Sequence, residues 1–156
     1  MERPQKRIAD SRFTLSALMG PQHANNQGNV HGGVIMKMVD EAGAIVAMPH
    51  AGTTVVTVAI DSMTFMEPIL AGNLVLCKAE LTHIGRMSME VRVEVTAEHP
   101  FRGTSTRTNT AYVVYVALDS NRCPTIVPEL IYETSEEQAR QTYRQHQREQ
   151  EATKAT

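Results

Sequence analysis

Residues 25–41 read Asn-Asn-Gln-Gly-Asn-Val-His-Gly-Gly-Val-Ile-Met-Lys-Met-Val-Asp-Glu, and the fold turns on them. An Asn-rich, turn-prone loop runs into the pair Gly32-Gly33, and the pair opens a helix expected over 31–48, stopped by Pro49 and Gly52. Apolar residues wrap this helix on nearly every side, so it is expected to be buried on most faces. Asp40 and Glu41 break the pattern. A carboxylate among Met36, Met38, Val39, Ala42 and Ile45 is costly to bury unless it is paired or used. At the helix start, two residues without side chains leave backbone N–H groups open to a ligand at the positive end of the helix dipole.

Strand patterns surround this helix. Residues 11–19 alternate before Gly20-Pro21, and 53–61 are rich in β-branched residues. A further strand is expected over 74–83. After Gly85, Met87, Met89, Val91, Val93 and Val95 alternate with Ser88, Glu90, Arg92, Glu94 and Thr96, as in a strand with one buried face. The last long strand, 104–118, is polar on both faces in its first half. Short turns between strands imply an antiparallel sheet, and a single apolar helix needs that sheet curled about it. The expected class is α+β, with about five strands around one long central helix.

At 156 residues the chain fits one domain. Residues 1–10 are charged and read as a mobile N-terminus, 11–132 as the packed domain, and 133–156 as a polar helix and tail. In that tail Thr134-Ser135-Glu136-Glu137 is a capping box. Arg140, Arg144 and Arg148 follow at i, i+4 spacing, expected as a solvated face or else as a ladder gripping a neighbouring subunit or a phosphate. A net charge of −2 argues against a general nucleic-acid or membrane surface. No apolar run reaches the ~20 residues of a membrane span. With no secretory h-region at the start and two cysteines far apart, Cys77 and Cys123, the expected home is the cytoplasm. The six histidines show no metal-ligand spacing, so no metal is expected.

The run 24–47, with Asn-x-x-Gly-x-x-His-Gly-Gly and Asp-Glu-Ala-Gly, resembles the hotdog-fold acyl-CoA thioesterases, in their cytosolic acyl-CoA hydrolase branch. The stretches 56–61, 65–69, 85–91 and 108–109 extend the likeness across about 11–132. The resemblance implies an antiparallel sheet around a central helix, pairing into dimers, and a trimer of dimers as the hexamer. It implies hydrolysis of acyl-CoA in fatty acid metabolism, with CoA as part of the substrate and no separate cofactor. It places the catalytic pair at Asn25 and Asp40, from two different chains, with Thr57 assisting the carboxylate. Arg86, Ser88, Thr108 and Asn109 fall where relatives hold CoA. His31 stands where some relatives carry an aromatic residue, so substrate contact and not proton transfer is expected of it.

Thioester hydrolysis needs a polarised carbonyl, an activated water or nucleophile, and an anchored CoA. The N–H groups near Gly32 and Gly33 suit the oxyanion, and Asp40 suits a base or a nucleophile. Asn25 would orient the water or the thioester. Residue by residue, plainer readings stand beside these: Gly32-Gly33 as close packing, Asp40 as a satisfied buried acid, Asn25 as a turn residue, Arg86 as a solvated hairpin arginine. Two other functions compete. A hotdog enoyl-CoA hydratase would want a histidine shortly after Asp40, and His50 lies past the expected helix end. A non-catalytic acyl-CoA sensor would usually carry a DNA-binding segment, which is not apparent.

Overall fold

The computed structural model describes residues 2–61 and 63–156. Among them the elements follow as β1 (Gln5–Arg7), β2 (Phe13–Leu18), α1 (Gly32–Ala51), β3 (Thr54–Ile60), β4 (Leu74–Ile84), β5 (Ser88–Glu98), β6 (Ser105–Leu118), β7 (Glu129–Ile131) and α2 (Ser135–Lys154). Strands β2 to β6 form one antiparallel sheet in the order β2-β4-β5-β6-β3. Helix α1 packs against all five. This is the curled sheet around a long helix, the hotdog architecture.

Period-two alternation builds the sheet's inner face. Val75, Cys77, Ala79 and Leu81 of β4, Val91, Val93 and Val95 of β5, and Ala111, Val113 and Ala117 of β6 are all buried against α1. From the helix come Ile35, Met38, Val39, Ala42, Val46 and Ala47. Burying each of the larger side chains is worth about 1.5–3 kcal/mol, enough for this face to fix the register of the strands.

Three expectations change. Helix α1 does not stop at Pro49 but runs to Ala51, where Gly52 caps it in the left-handed conformation (φ 69°). Pro49 falls in the last turn, where a missing N–H costs only one bond, and Lys6 Nζ donates to the free carbonyls of Pro49 and His50 at 2.9 and 3.1 Å. Nor is the helix covered on most faces. Met36 and Met48 are 42% and 44% exposed.

The third change concerns the two ends. The segment read as a mobile N-terminus makes contacts over its described residues 2–10: β1 pairs in parallel with β7, Ile8 is buried, and the Arg3 guanidinium donates to the carbonyls of Val127 and Gly85. Helix α2 is not a solvated tail but docks on the outer face of the sheet. Arg144 is buried there, bonded to both carboxylate oxygens of Glu90 at 3.1 Å and to Asp61 at 2.9 Å, and stacked 3.7 Å from the Tyr112 ring centroid. Arg140 pairs with Glu80, which Arg12 also holds. Two rungs of the arginine ladder, Arg140 and Arg144, grip the chain's own sheet. No helix among the described residues is long and apolar enough to cross a membrane.

Candidate active site

Asp40 sits two turns into α1, half-buried, at the rim between the covered and the open side of the helix. Two hydroxyls reach its Oδ1. Thr57 Oγ1 donates at 2.6 Å, and Tyr115 Oη lies at 3.2 Å while donating to the Asp40 main-chain oxygen at 2.7 Å. They converge because Thr57 and Tyr115 are direct partners in the β3–β6 ladder, so both project from the same face. A bulge follows at once, with Val58 unpaired between Thr57 and Ala59. It lets Ile60 face inward again opposite Val113, and marks the sort of local kink that re-aims side chains near sites.

Gly43 lies one turn beyond Asp40. A Cβ there would fall 2.2 Å from Tyr115 Oη, so only glycine lets that hydroxyl lie against the helix. Burial first, and the Asp40 charge second, push the Tyr115 phenol well above its ordinary value, so it stays a protonated donor.

The other expected residues are placed unevenly. His31 is the exposed N-cap of α1, and no side-chain hydrogen bond caps that end; Val34 N donates to the His31 carbonyl at 3.0 Å, while the Gly32 and Gly33 amides have no acceptor among the described residues. Gly32 packs under Phe65, a Cβ coming within 3.3 Å of the ring, so the close-packing reading holds for it. The corresponding position on Gly33 meets nothing within 4 Å. Asn25 is exposed, and its Oδ1 closes the loop by accepting from Gln27 N and Asn29 N at 2.9 and 3.1 Å. Its amide nitrogen is left over for something else. Within one chain no hydrogen bond joins Asn25 to Asp40 among the described residues.

Arg86 and Ser88 stand at the β4–β5 turn, with Ser88 opposite Val116, while Asn109 pairs with Val95. Seven residues along β5 separate the two places, about 23 Å at strand rise, so the four residues do not converge within one chain. Thr108 is the extra residue of a second bulge, buried, its hydroxyl donating to Val95 O at 3.3 Å. Asn109 Nδ2 is buried without a partner among the described residues. Both line a groove of about 740 Å³ between β6, the 64–67 segment and α2, with Arg92, Arg107 and Arg144 in its walls. Among the described residues no three His, Cys, Asp or Glu side chains cluster to hold a metal ion. Sequence reasoning missed Tyr115. The available signal was a glycine inside a helix, paired with the largest inward residue of the last strand.

The chain is similar to known proteins in sequence and in fold. A thioesterase superfamily model matches residues 27–101. A Bacillus subtilis protein named as an acyl-CoA thioester hydrolase is 35% identical over 138 residues, covering 88% of this chain and 80% of its own. The rat cytosolic acyl coenzyme A thioester hydrolase is 34% identical across 85% of this chain, which spans only 35% of that longer protein. A hexameric acyl-CoA thioesterase solved without ligand superposes with a TM-score of 0.92 at 31% identity, over 98% of both chains. The acyl-CoA hydrolase of Staphylococcus aureus, solved with butyryl coenzyme A and coenzyme A, gives a TM-score of 0.83 at 30% identity, over 97% of this chain and 96% of that one. That enzyme was also solved with an asparagine, an aspartate and a threonine each replaced by alanine, and these three follow one another at intervals of fifteen and seventeen positions. The chain belongs to the thioesterase superfamily, among the hotdog-fold acyl-CoA thioesterases.

Proposed function

We propose that this protein hydrolyses acyl-CoA thioesters to a free carboxylic acid and CoA, at a site shared between two copies of the chain. One observation carries the reading: Asp40, held by Thr57, lies at the rim of the open side of α1 at the family's spacing from Asn25. The intervals Asn25 to Asp40 and Asp40 to Thr57 equal those between the residues replaced in the Staphylococcus aureus enzyme.

The chemistry follows from the free atoms. The acyl carbonyl is polarised by the amide of Gly33, where no side chain stands in the way. Asp40 takes a proton from water as the water oxygen adds to the carbonyl carbon. The tetrahedral intermediate then expels the CoA sulfur, breaking the C–S bond, and the proton passes to the departing thiolate. Asn25 of the facing copy donates its free amide to the water or the thioester. Water, a carboxylate and backbone amides suffice, and no cofactor beyond the CoA of the substrate enters. His31 and Gly32 flank the entering thioester, while Thr108 and Asn109 take the CoA moiety, with Arg86 and Ser88 joining them only from another copy of the chain. The groove beside Asn109 suits its phosphates by virtue of Arg92 and Arg107.

The second copy is expected on β3. It is one of the two outer strands of the sheet, it exposes Val56 and Val58, and it packs against α1, whose Met36 and Met48 are uncovered. An edge of this kind pairs readily with its own copy. Three such dimers would make the hexamer reported for the similar thioesterase. The expected setting is cytoplasmic fatty acid metabolism, which the two unpaired cysteines fit.

The test is thiol release from acyl-CoA substrates graded from acetyl to palmitoyl. Turnover of at least one substrate supports the hydrolase. Tight binding of acyl-CoA with no thiol released from any substrate would make the protein a sensor.

A further inference from the structure

Tyr115 occupies an inward position of β6 between Val113 and Ala117, deep in an apolar layer, where phenylalanine would fill the same space. A hydroxyl in such a place is unfavourable unless it is bonded. A glycine in the middle of a helix is unfavourable too. The molecule makes both choices, Tyr115 and Gly43, and they meet in one contact: the hydroxyl seated against α1, 2.7 Å from the Asp40 carbonyl oxygen and 3.2 Å from Oδ1.

We infer that Tyr115 is a positioning residue of the site, its hydroxyl fixing the Asp40 carboxylate from the helix side while Thr57 fixes it from the strand side. The inference rests on the reading of Asp40 as the base. Thr57 donates to Oδ1, the single Tyr115 proton is shared between the Asp40 main-chain oxygen and Oδ1, and among the described residues nothing bonds Oδ2. Oδ2 is therefore the oxygen that accepts the proton of water. A carboxylate held at one oxygen by two hydroxyls has a defined rotamer and presents one oxygen at a fixed angle. The phenol serves only as a donor, because burial and the adjacent charge keep it protonated.

The experiment is thiol release by Tyr115→Phe, with the parent and Asp40→Asn alongside, recording kcat, KM, the pH profile and Tm. The expected result is a kcat about tenfold lower with KM within about twofold, the order of one lost hydrogen bond to a charged group. The acid limb of the profile should move to higher pH, since a carboxylate that loses a donor holds its proton more tightly. A folded Tyr115→Phe with parental kcat and an unmoved acid limb would overturn the inference, whatever its Tm. Should Tyr115→Phe fail to fold, 3-fluorotyrosine at 115 keeps the shape and sharpens the donor. Its acid limb should move the opposite way, and an unmoved limb overturns the inference as well. A parent that releases no thiol overturns the hydrolase reading first. A working parent beside an unaffected Tyr115→Phe overturns only the role of Tyr115.

Discussion

Single atoms decide most at the residue scale. Asp40 Oδ1 is occupied and Oδ2 is open, so the residue can be altered with little change in shape. Asp40→Asn keeps the size and removes the base. It is expected to fold with a Tm near that of the parent and to lose about 100-fold or more in kcat, as for removal of a positioned general base. Full activity in a folded Asp40→Asn would exclude Asp40 from the chemistry. Stability against pH follows from His50, which is buried with Nε2 bonded to Pro128 O at 2.8 Å and Nδ1 unpartnered. Burial lowers its pKa from the ordinary 6.5. Its contribution is therefore fully present above about pH 6.5 and is lost as pH falls from there through the lowered folded value, because the unfolded chain takes the proton first. Melting curves from pH 7.5 to 5 should show Tm falling over that range, and His50→Gln, which keeps a donor for Pro128, should flatten the fall.

At the scale of elements, much was legible. The β-branched runs and the clean alternation after Gly85 placed the sheet strands within a few residues, because period two leaves no other buried face. What stayed hidden is what only tertiary structure decides. Arg144 sits in a helix with almost no apolar side, so periodicity reads it as solvated, yet Glu90 opposite is buried and offers a partner. Glu90 itself occupies an outward position of β5 that alternation assigns to water. In the same way Arg3 gains its partners only once the 127 segment and the β4–β5 turn are in place. The Arg144–Glu90 pair gives a test. Arg144→Met leaves Glu90 buried and unpaired and should cost about 3–5 kcal/mol in urea unfolding. Adding Glu90→Met should recover more than half of that loss. If Arg144→Met alone is neutral, α2 is not held in the way described.

The whole molecule explains why the candidate pair Asn25 and Asp40 was legible as spacing but not as geometry. Fifteen positions apart in sequence, they share no hydrogen bond within one chain, and the expected contact is with a second copy across β3. The uncovered side of α1, exposed Met36 and Met48 included, is the apolar surface that the proposed second copy would cover. The double change Val56→Lys, Val58→Lys charges the open edge of β3. It is expected to shift the sedimentation mass to that of a single chain and to abolish thiol release together with assembly. An active monomer would contradict a shared site.

The most direct measurement is thiol release by a co-expressed mixture of Asn25→Ala and Asp40→Asn chains, each inactive alone. In a mixed dimer one site carries both changes and the other carries neither. With random pairing, a shared site predicts that about one quarter of the parental activity returns. If the mixture stays as inactive as either variant while the parent hydrolyses acyl-CoA, Asn25 and Asp40 do not act across two chains, and the site as built here is wrong.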